Sequence, residues 1–385
     1  MNEHIQGYSR LNPFIAKIKS REDLCYSCNK KTTQHIVIDI HGSGIAYEVG
    51  DCVGIFPVND PVLLSRTLEA MHATGEEMIT DARSGNSFLL RDFLSMKANV
   101  TDIGRNLLKE VADREPDLRK KEELEQLLIP QHSHKLKEYL FGKHLWDILL
   151  YHSESVFTPQ ELCDMLMPLL PRFYSIASSQ KAVGDEIHLT VKLLSYESHG
   201  HERKGVCTHY LCNLIPTEEP IIPLFIQPHN GFTVPKSGDT PIIMVGPGTG
   251  VAPFRAFMQE RIARGDEGKN WLFFGEWNRD HHFLYRDYWF DLEKKGLLRV
   301  SAAFSRDQEH KIYVQDLLKE HGREIFQLLE EGAVFYVCGD AKKMAKDVDK
   351  TLHEIVSVWG NFLPEATKEY MKNLRKDKRY LRDVY

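Results

Sequence analysis

The rhythm of apolar and polar positions changes twice along this chain. At 35–40 (HIVIDI), 51–56 (DCVGIF) and 186–191 (EIHLTV), short runs alternate between apolar and polar and are parted by glycine-rich turns. That period of two predicts antiparallel strands gathered into a barrel. Between about 61 and 169 the leucines recur at helical spacing among many Glu and Lys residues, which predicts a helical insert within the barrel. A Pro/Gly-rich polar stretch at 228–231 and 235–241 marks a boundary. Beyond it, apolar runs at 242–245, 270–275, 298–304 and 333–339 read as buried strands, and they alternate with helical patterns at 253–264, 284–294 and 341–358. Strand and helix in turn predict a doubly wound parallel α/β domain. The expected organisation is a barrel domain over 1–235, carrying the insert at about 61–169, and an α/β domain over 236–385.

The run at 242–253 (IIMVGPGTGVAP) reads as strand, phosphate loop and helix. Its glycines let the backbone turn tightly, and the new helix aims unpaired N–H groups at the loop, so an anion is expected there. The spacing is not G-x-G-x-x-G, because Val251 stands where the third glycine would be, and no G-K-[ST] follows. In doubly wound sheets ligands lie at the carboxyl ends of strands, and Gly246, Ser305 and Cys338 all fall at such ends. Just past the second of these, Ser305, Arg306, Lys311, Tyr313 and Gln315 offer a hydroxyl, a guanidinium, an ammonium, a phenol and an amide. Such a set suits a phosphate monoester. A nicotinamide cofactor without a 2′-phosphate would meet a carboxylate near its ribose, so the Arg/Lys cluster points to NADPH over NADH.

Composition narrows the setting. With 385 residues the chain is too long for one ordinary core, and 42% hydrophobic with 27% charged residues are globular proportions. No run approaches the roughly 20 apolar residues of a membrane span, and residues 1–4 (MNEH) lack a signal's apolar region. A cytoplasmic protein with no membrane partner is expected. A net charge of -6 gives no sign of nucleic-acid binding. The seven scattered cysteines argue against a disulfide framework. Cys25 and Cys28 have C-x-x-C spacing, but no second pair completes a tetrahedral site. His199, His201, Cys207, His209 and Cys212 cluster in sequence, yet they overlap a second glycine turn at 205–208, so no metal is expected.

Two further motifs concern chemistry. Residues 172–178 (RFYSIAS) place an arginine, an aromatic and a hydroxyl on a strand, and 205–208 (GVCT) opens a second glycine turn into a helix. Together with GPGTGVAPFRAF, SRDQ…KIYVQ, YVCGDAKKMAKDV and the terminal RYLRDVY, they make the chain resemble the diflavin reductases of the ferredoxin-reductase superfamily, the sulfite reductase flavoproteins among them, over nearly its whole length. The resemblance implies an antiparallel β-barrel FAD domain with an inserted α-helical connecting domain, followed by an α/β doubly wound parallel-sheet NADP domain. It implies FAD with Arg172, Gly205, Val206, Cys207 and Thr208 at the pyrophosphate, Phe173 and Tyr174 at the flavin, and Tyr196 under the adenine. It implies NADP(H) held by Gly248, Thr249, Gly250, Arg255, Ser305, Arg306, Lys311, Tyr313, Gln315, Cys338 and Asp340. For catalysis it implies Ser175 near flavin N5, Cys338 beside nicotinamide C4, Asp383 steadying both, and Tyr385 covering the flavin until nicotinamide displaces it.

The chain departs from this family at its start. Diflavin reductases carry an FMN-binding flavodoxin module ahead of this region, whereas here about a dozen residues precede PFIA at 13–16. The expectation is therefore FAD and NADPH without FMN, hydride transfer from NADPH to FAD, and single electrons passed to an external acceptor protein: flavodoxin-like, a ferredoxin or a hemoprotein. The terminal basic run, from Lys372 to Arg382, could meet an acidic redox partner. The alternatives are a non-catalytic nucleotide-binding module and a reductase acting directly on a small-molecule acceptor.

Overall fold

The computed structural model describes residues 7–25, 32–229 and 231–385, so Cys28 lies outside the described residues. The chain divides into two compact units. The larger comprises Met1–Gly54, Phe173–Lys192 and Pro216–Tyr385, and the smaller Ile55–Arg172 and Leu193–Ile215.

The larger unit contains the antiparallel sheet that the alternation predicts. Its six strands run in the order Arg172–Ser175, Cys52–Ile55, Ile222–Gln227, Phe14–Asp23, Thr33–Asp39 and Glu186–Lys192. Ile36 and Ile38 are fully buried, and their partners across the sheet, Leu189 and Ile187, are buried with them. Val37 and Val191 on these strands are buried as well, so both faces of the pairing are covered. Just past the first edge strand, the Ala177 amide donates to the His188 carbonyl on the opposite edge strand at 2.8 Å. That bond curls the sheet towards closure.

The same unit holds a parallel sheet of five strands, ordered Arg299–Phe304, Asn270–Glu276, Ile242–Val245, Val334–Gly339 and Tyr380–Val384. Four of these match the predicted strands; the edge strand Tyr380–Val384 is an addition. Alternation separates two cores. Met244, Leu272, Phe274 and Tyr336 pack on one face with Phe254, Phe257 and Trp289, while Ile243, Val245, Phe273 and Val337 pack on the other with Val348, Leu352 and Ile355. Burying one such phenylalanine contributes about 1.5–3 kcal/mol relative to leaving it exposed. Both faces are thus sealed by helices, as a parallel sheet requires.

The smaller unit is mainly helical, as its leucine spacing predicts, with helices that include Pro61–Ala70, Arg105–Arg114, Leu118–Leu128, Leu145–Tyr151 and Pro159–Met165. Thr158 and Glu161 form a reciprocal cap at the last of these, and Pro159 takes the first helical position. Leu90, Leu107, Leu108, Val111, Leu145 and Ile148 build its core. His152 and Glu115, each about 1% exposed, pair across that core at 2.6 Å. Two short hairpins complete the unit, Met78–Thr80 with Ser87–Leu89 and Ser195–Ser198 with His201–Lys204. No helix among the described residues is long and apolar enough to cross a membrane.

Candidate active site

The strand Ile242–Val245 ends at Gly246 and Pro247, and Gly248–Val251 make one tight 3-10 turn before the helix Ala252–Arg264. Two glycines are required there for different reasons. Gly248 has a φ of 59°, in the left-handed region. A Cβ on Gly250 would run into the Cys338 carbonyl, so the turn lies directly on the strand Val334–Gly339. The turn sits at the positive end of a 13-residue helix, where an anion is favoured.

Next to this turn is a crevice of about 440 Å³, lined among others by Gly248, Trp277, Ser305, Tyr313, Gln315 and Asp340. Arg306 follows Ser305, and its guanidinium stacks on Trp277, 3.6 Å from the ring centre. Asp340 accepts the amides of Lys343 and Met344 at 2.6 and 3.3 Å. Those backbone bonds, the Lys343 one foremost, hold its carboxyl below the usual range. Lys311 is exposed and does not line the crevice. Arg255 is engaged elsewhere: it donates to the Ala177 carbonyl at 2.7 Å and lies over Tyr285 and Tyr288 at 5.2 and 5.5 Å.

A second group of side chains meets where the parallel strands end beside Arg172–Ser175. Register sets Cys338 opposite Asp383. The Ser175 hydroxyl donates to Asp383 Oδ2 at 2.9 Å, and Cys338 Sγ lies 3.8 Å from the same oxygen. Asp383 Oδ1 faces His229 Nε2 at 3.9 Å. Burial, with the Asp383 charge second, pushes the Cys338 thiol well above its usual range. It is therefore a neutral donor rather than a nucleophile. The Tyr385 amide donates to the Gly339 carbonyl at 3.1 Å, and its phenol lies 3.0 Å from Thr249 Oγ1 in the glycine turn. The residue as a whole is 65% exposed, while burial pushes its phenol above the usual range.

The other expected residues are placed as follows. Phe173 is exposed and meets Phe225 edge-on at 5.9 Å, and Tyr174 is half-buried. In the smaller unit Arg172 is exposed and donates to the Leu170 carbonyl at 3.0 Å. Tyr196 is half-buried, its ring 5.7 Å from that of Phe141. Gly205 precedes the short helix Val206–His209, and Thr208 Oγ1 donates to the Gly205 carbonyl at 3.1 Å while accepting the Leu194 amide at 3.2 Å. Cys207 is buried, which leaves Val206 and Thr208 as the half-exposed side chains of this turn. His209 faces Asp60 at 3.1 Å, and among the described residues no group of three His, Cys, Asp or Glu side chains could hold a metal.

Sequence reasoning passed over Trp277 and His229. Trp277 could have been found, since an aromatic directly after a buried strand stands at a ligand-binding end. His229 carries no local signal and meets Asp383 only in the folded chain.

Residues 7–210 match the FAD binding domain family, and residues 244–350 match the oxidoreductase NAD-binding domain. The chain is 41% identical over 380 residues to the sulfite reductase [NADPH] flavoprotein alpha-component of Bacillus subtilis, covering 98% of this chain and 62% of the relative. The corresponding proteins of Salmonella typhimurium and Shewanella oneidensis are 38% and 37% identical, over 99% and 98% of this chain and 62% and 61% of their own lengths. The chain thus spans somewhat less than two thirds of the relatives it matches. With an FAD binding domain match over more than half its length, and that domain continued by an oxidoreductase NAD-binding domain, the chain belongs to the FAD binding domain family of oxidoreductases.

Proposed function

We propose that this protein takes hydride from NADPH onto FAD and passes electrons singly to a separate acceptor protein. The observation that carries this reading is the Ser175, Asp383 and Cys338 cluster, set at the ends of the nucleotide-domain strands beside the glycine turn and an exposed tyrosine. When bound, FAD supplies an acceptor for hydride at N5 and a means of releasing electrons one at a time.

The residues fit both nucleotides chemically. Arg172 and the main chain of the Gly205 to Thr208 turn form the donor set a diphosphate needs, and Tyr196 offers a face for adenine. Tyr174, Phe173 and the exposed Tyr385 ring offer apolar surface for an isoalloxazine. Gly250 fits its place only without a Cβ, which lets the Gly248, Thr249, Gly250 turn bring backbone close to the dinucleotide diphosphate. Ser305, Tyr313 and Gln315 of the crevice recognise the 2′-phosphate together with Arg306 beside it and the exposed Lys311 outside its lining, and Asp340 lines the same crevice.

Each member of the cluster then has a task. Asp383 faces positive charge as it develops on the nicotinamide, and it fixes the Ser175 hydroxyl by accepting its hydrogen bond. Cys338 fills the strand end as an uncharged thiol, which keeps a nucleophilic thiolate away from an electrophilic ring. Tyr385 must give up its bond to Thr249 before nicotinamide can stack, so its ring gates access. Similarity to sulfite reductase flavoproteins supports an acceptor that serves sulfite reduction, whether hemoprotein, ferredoxin or flavodoxin-like.

The experiment is anaerobic titration of the purified protein. It is expected to be yellow, to release FAD on heating, and to bleach with NADPH far faster than with NADH. Failure to retain any flavin after reconstitution with excess FAD, or equal bleaching by both nicotinamides, overturns the reading.

A further inference from the structure

The crevice beside the glycine turn carries few positive charges for a site that takes a polyanion. Of the side chains that line it, Glu276, Asp340 and Asp347 are carboxylates, and Lys343 is the one base among the described residues. Arg306 and Lys311, the cations expected from the sequence, stand outside that lining. Lys343 is exposed and is the last residue before the helix Met344–Trp359. Its amide is committed to Asp340 Oδ1 at 2.6 Å, while its side chain has neither an ion-pair nor a hydrogen-bond partner among the described residues. A free ammonium therefore belongs to the wall of this crevice.

Strand order decides which part of a dinucleotide that ammonium can meet. The parallel strands that end at Phe304, Glu276, Val245 and Gly339 lie side by side in that order, so Ser305 and Lys343 flank the glycine turn from opposite sides. With neighbouring strands about 4.8 Å apart, the strand leading to Ser305 lies about 14 Å from the one leading to Lys343. The chain that leaves Gly339 instead runs against the turn: a Cβ on Gly339 would come within 3.1 Å of Met344 Cε and 3.6 Å of the Pro247 carbonyl oxygen. One adenosine ribose carries both the 2′-phosphate and, on C5′, the diphosphate. A 2′-phosphate held at Ser305 and Arg306 leaves the diphosphate towards the glycine turn, the side on which Lys343 stands.

We propose that Lys343 binds the diphosphate of NADP(H), and so sets affinity for the dinucleotide without setting the choice between NADPH and NADH. The inference rests on the proposed function. The diphosphate is common to both nicotinamides, whereas the 2′-phosphate is not. A charge-assisted bond from the ammonium to a diphosphate oxygen also offsets the repulsion that Asp340 and Asp347 exert on the same anion.

Two measurements test it, with Lys343→Met as the variant that keeps an unbranched apolar stem and removes the charge. Calorimetric titration of the FAD-loaded protein with NADP+ is expected to show about tenfold weaker binding in Lys343→Met, and Lys343→Arg should recover most of the loss. In steady state with ferricyanide as acceptor, kcat/KM should fall by a similar factor for NADPH and for NADH, which leaves their ratio within about twofold of wild type. NADP+ bound by Lys343→Met at wild-type affinity, or by Lys343→Arg as weakly as by Lys343→Met, overturns the inference alone. So does a loss confined to NADPH, which would put the ammonium on the 2′-phosphate. Wild-type protein that binds no NADP+ sinks the functional reading, and the inference with it.

Discussion

Arg306 shows how much a single side chain owes to its neighbour. Its guanidinium is spread over the Trp277 ring at 3.6 Å, an arrangement that fixes a planar fork of donors beside the crevice before any ligand arrives. A charge-assisted hydrogen bond from such a pre-set group is worth about 1.5–3 kcal/mol. Arg306→Ala is therefore expected to lower kcat/KM for NADPH by about 10- to 100-fold and leave NADH within about twofold, measured in steady state with ferricyanide as acceptor. Equal losses with both nicotinamides would show that Arg306 serves to hold Trp277 instead. The Arg306 position is legible in the sequence because a basic residue follows a buried strand; the stack is not, because Trp277 lies at the end of a different strand. His229 is invisible for the same reason, since it approaches Asp383 only in the folded chain.

At the scale of elements, the phosphate turn and its helix were readable because several local rules agree. An apolar run stops at glycines, a proline takes an early helical position, and Gly265 in a left-handed conformation ends the helix. The strand Tyr380–Val384 was not readable. Its sequence mixes charges with Tyr380, Leu381 and Val384, and only pairing with Val334–Gly339 makes it a strand. That pairing is what brings Asp383 to Cys338. The strand Val334–Gly339 also clamps the glycine turn from beneath, since a Cβ on Gly250 would overlap the Cys338 carbonyl and come within 3.2 Å of Gly339 Cα. Backbone on both sides cannot yield as a flexible side chain would. Gly250→Ala is expected to cost about 1–3 kcal/mol, the range for overpacking, and to displace the turn and weaken NADPH binding. A urea midpoint and a KM for NADPH both at wild-type values would show that the turn does not rest on this strand.

In the larger unit as a whole, a buried polar seam joins the six-stranded sheet to the nucleotide-domain helices, and it makes stability depend on pH. His35 Nδ1 lies 2.9 Å from the Tyr285 hydroxyl and its Nε2 lies 3.2 Å from His188 Nδ1. Tyr285 also meets Thr190 at 2.7 Å, and His188 meets Glu186 at 2.8 Å. Arg255, expected from the sequence to face NADP, borders this seam through the Ala177 carbonyl. Burial first, then the Arg255 and His188 charges, push His35 down to about 3. Burial also lowers His188, partly opposed by its bond to Glu186. The sign follows from where the proton binds first. An unfolded histidine takes up its proton near pH 6.5, while folded His35 stays neutral until about pH 3, so acid favours the unfolded chain throughout that window. Stability from this group is intact above about pH 6.5, falls by up to about 1.4 kcal/mol per pH unit below it, and levels off only near the folded value. Between pH 7.5 and pH 5 the loss from His35 alone is about 2 kcal/mol. His35→Gln keeps a polar side chain in the seam and removes this titration, so the variant should lose about 2 kcal/mol less than wild type over the same interval. Urea unfolding of both proteins at the two pH values reads the difference directly, because the other titrating groups are common to both. Equal losses would mean that His35 takes up its proton in the folded chain as readily as in the unfolded one, so that the seam does not hold it neutral.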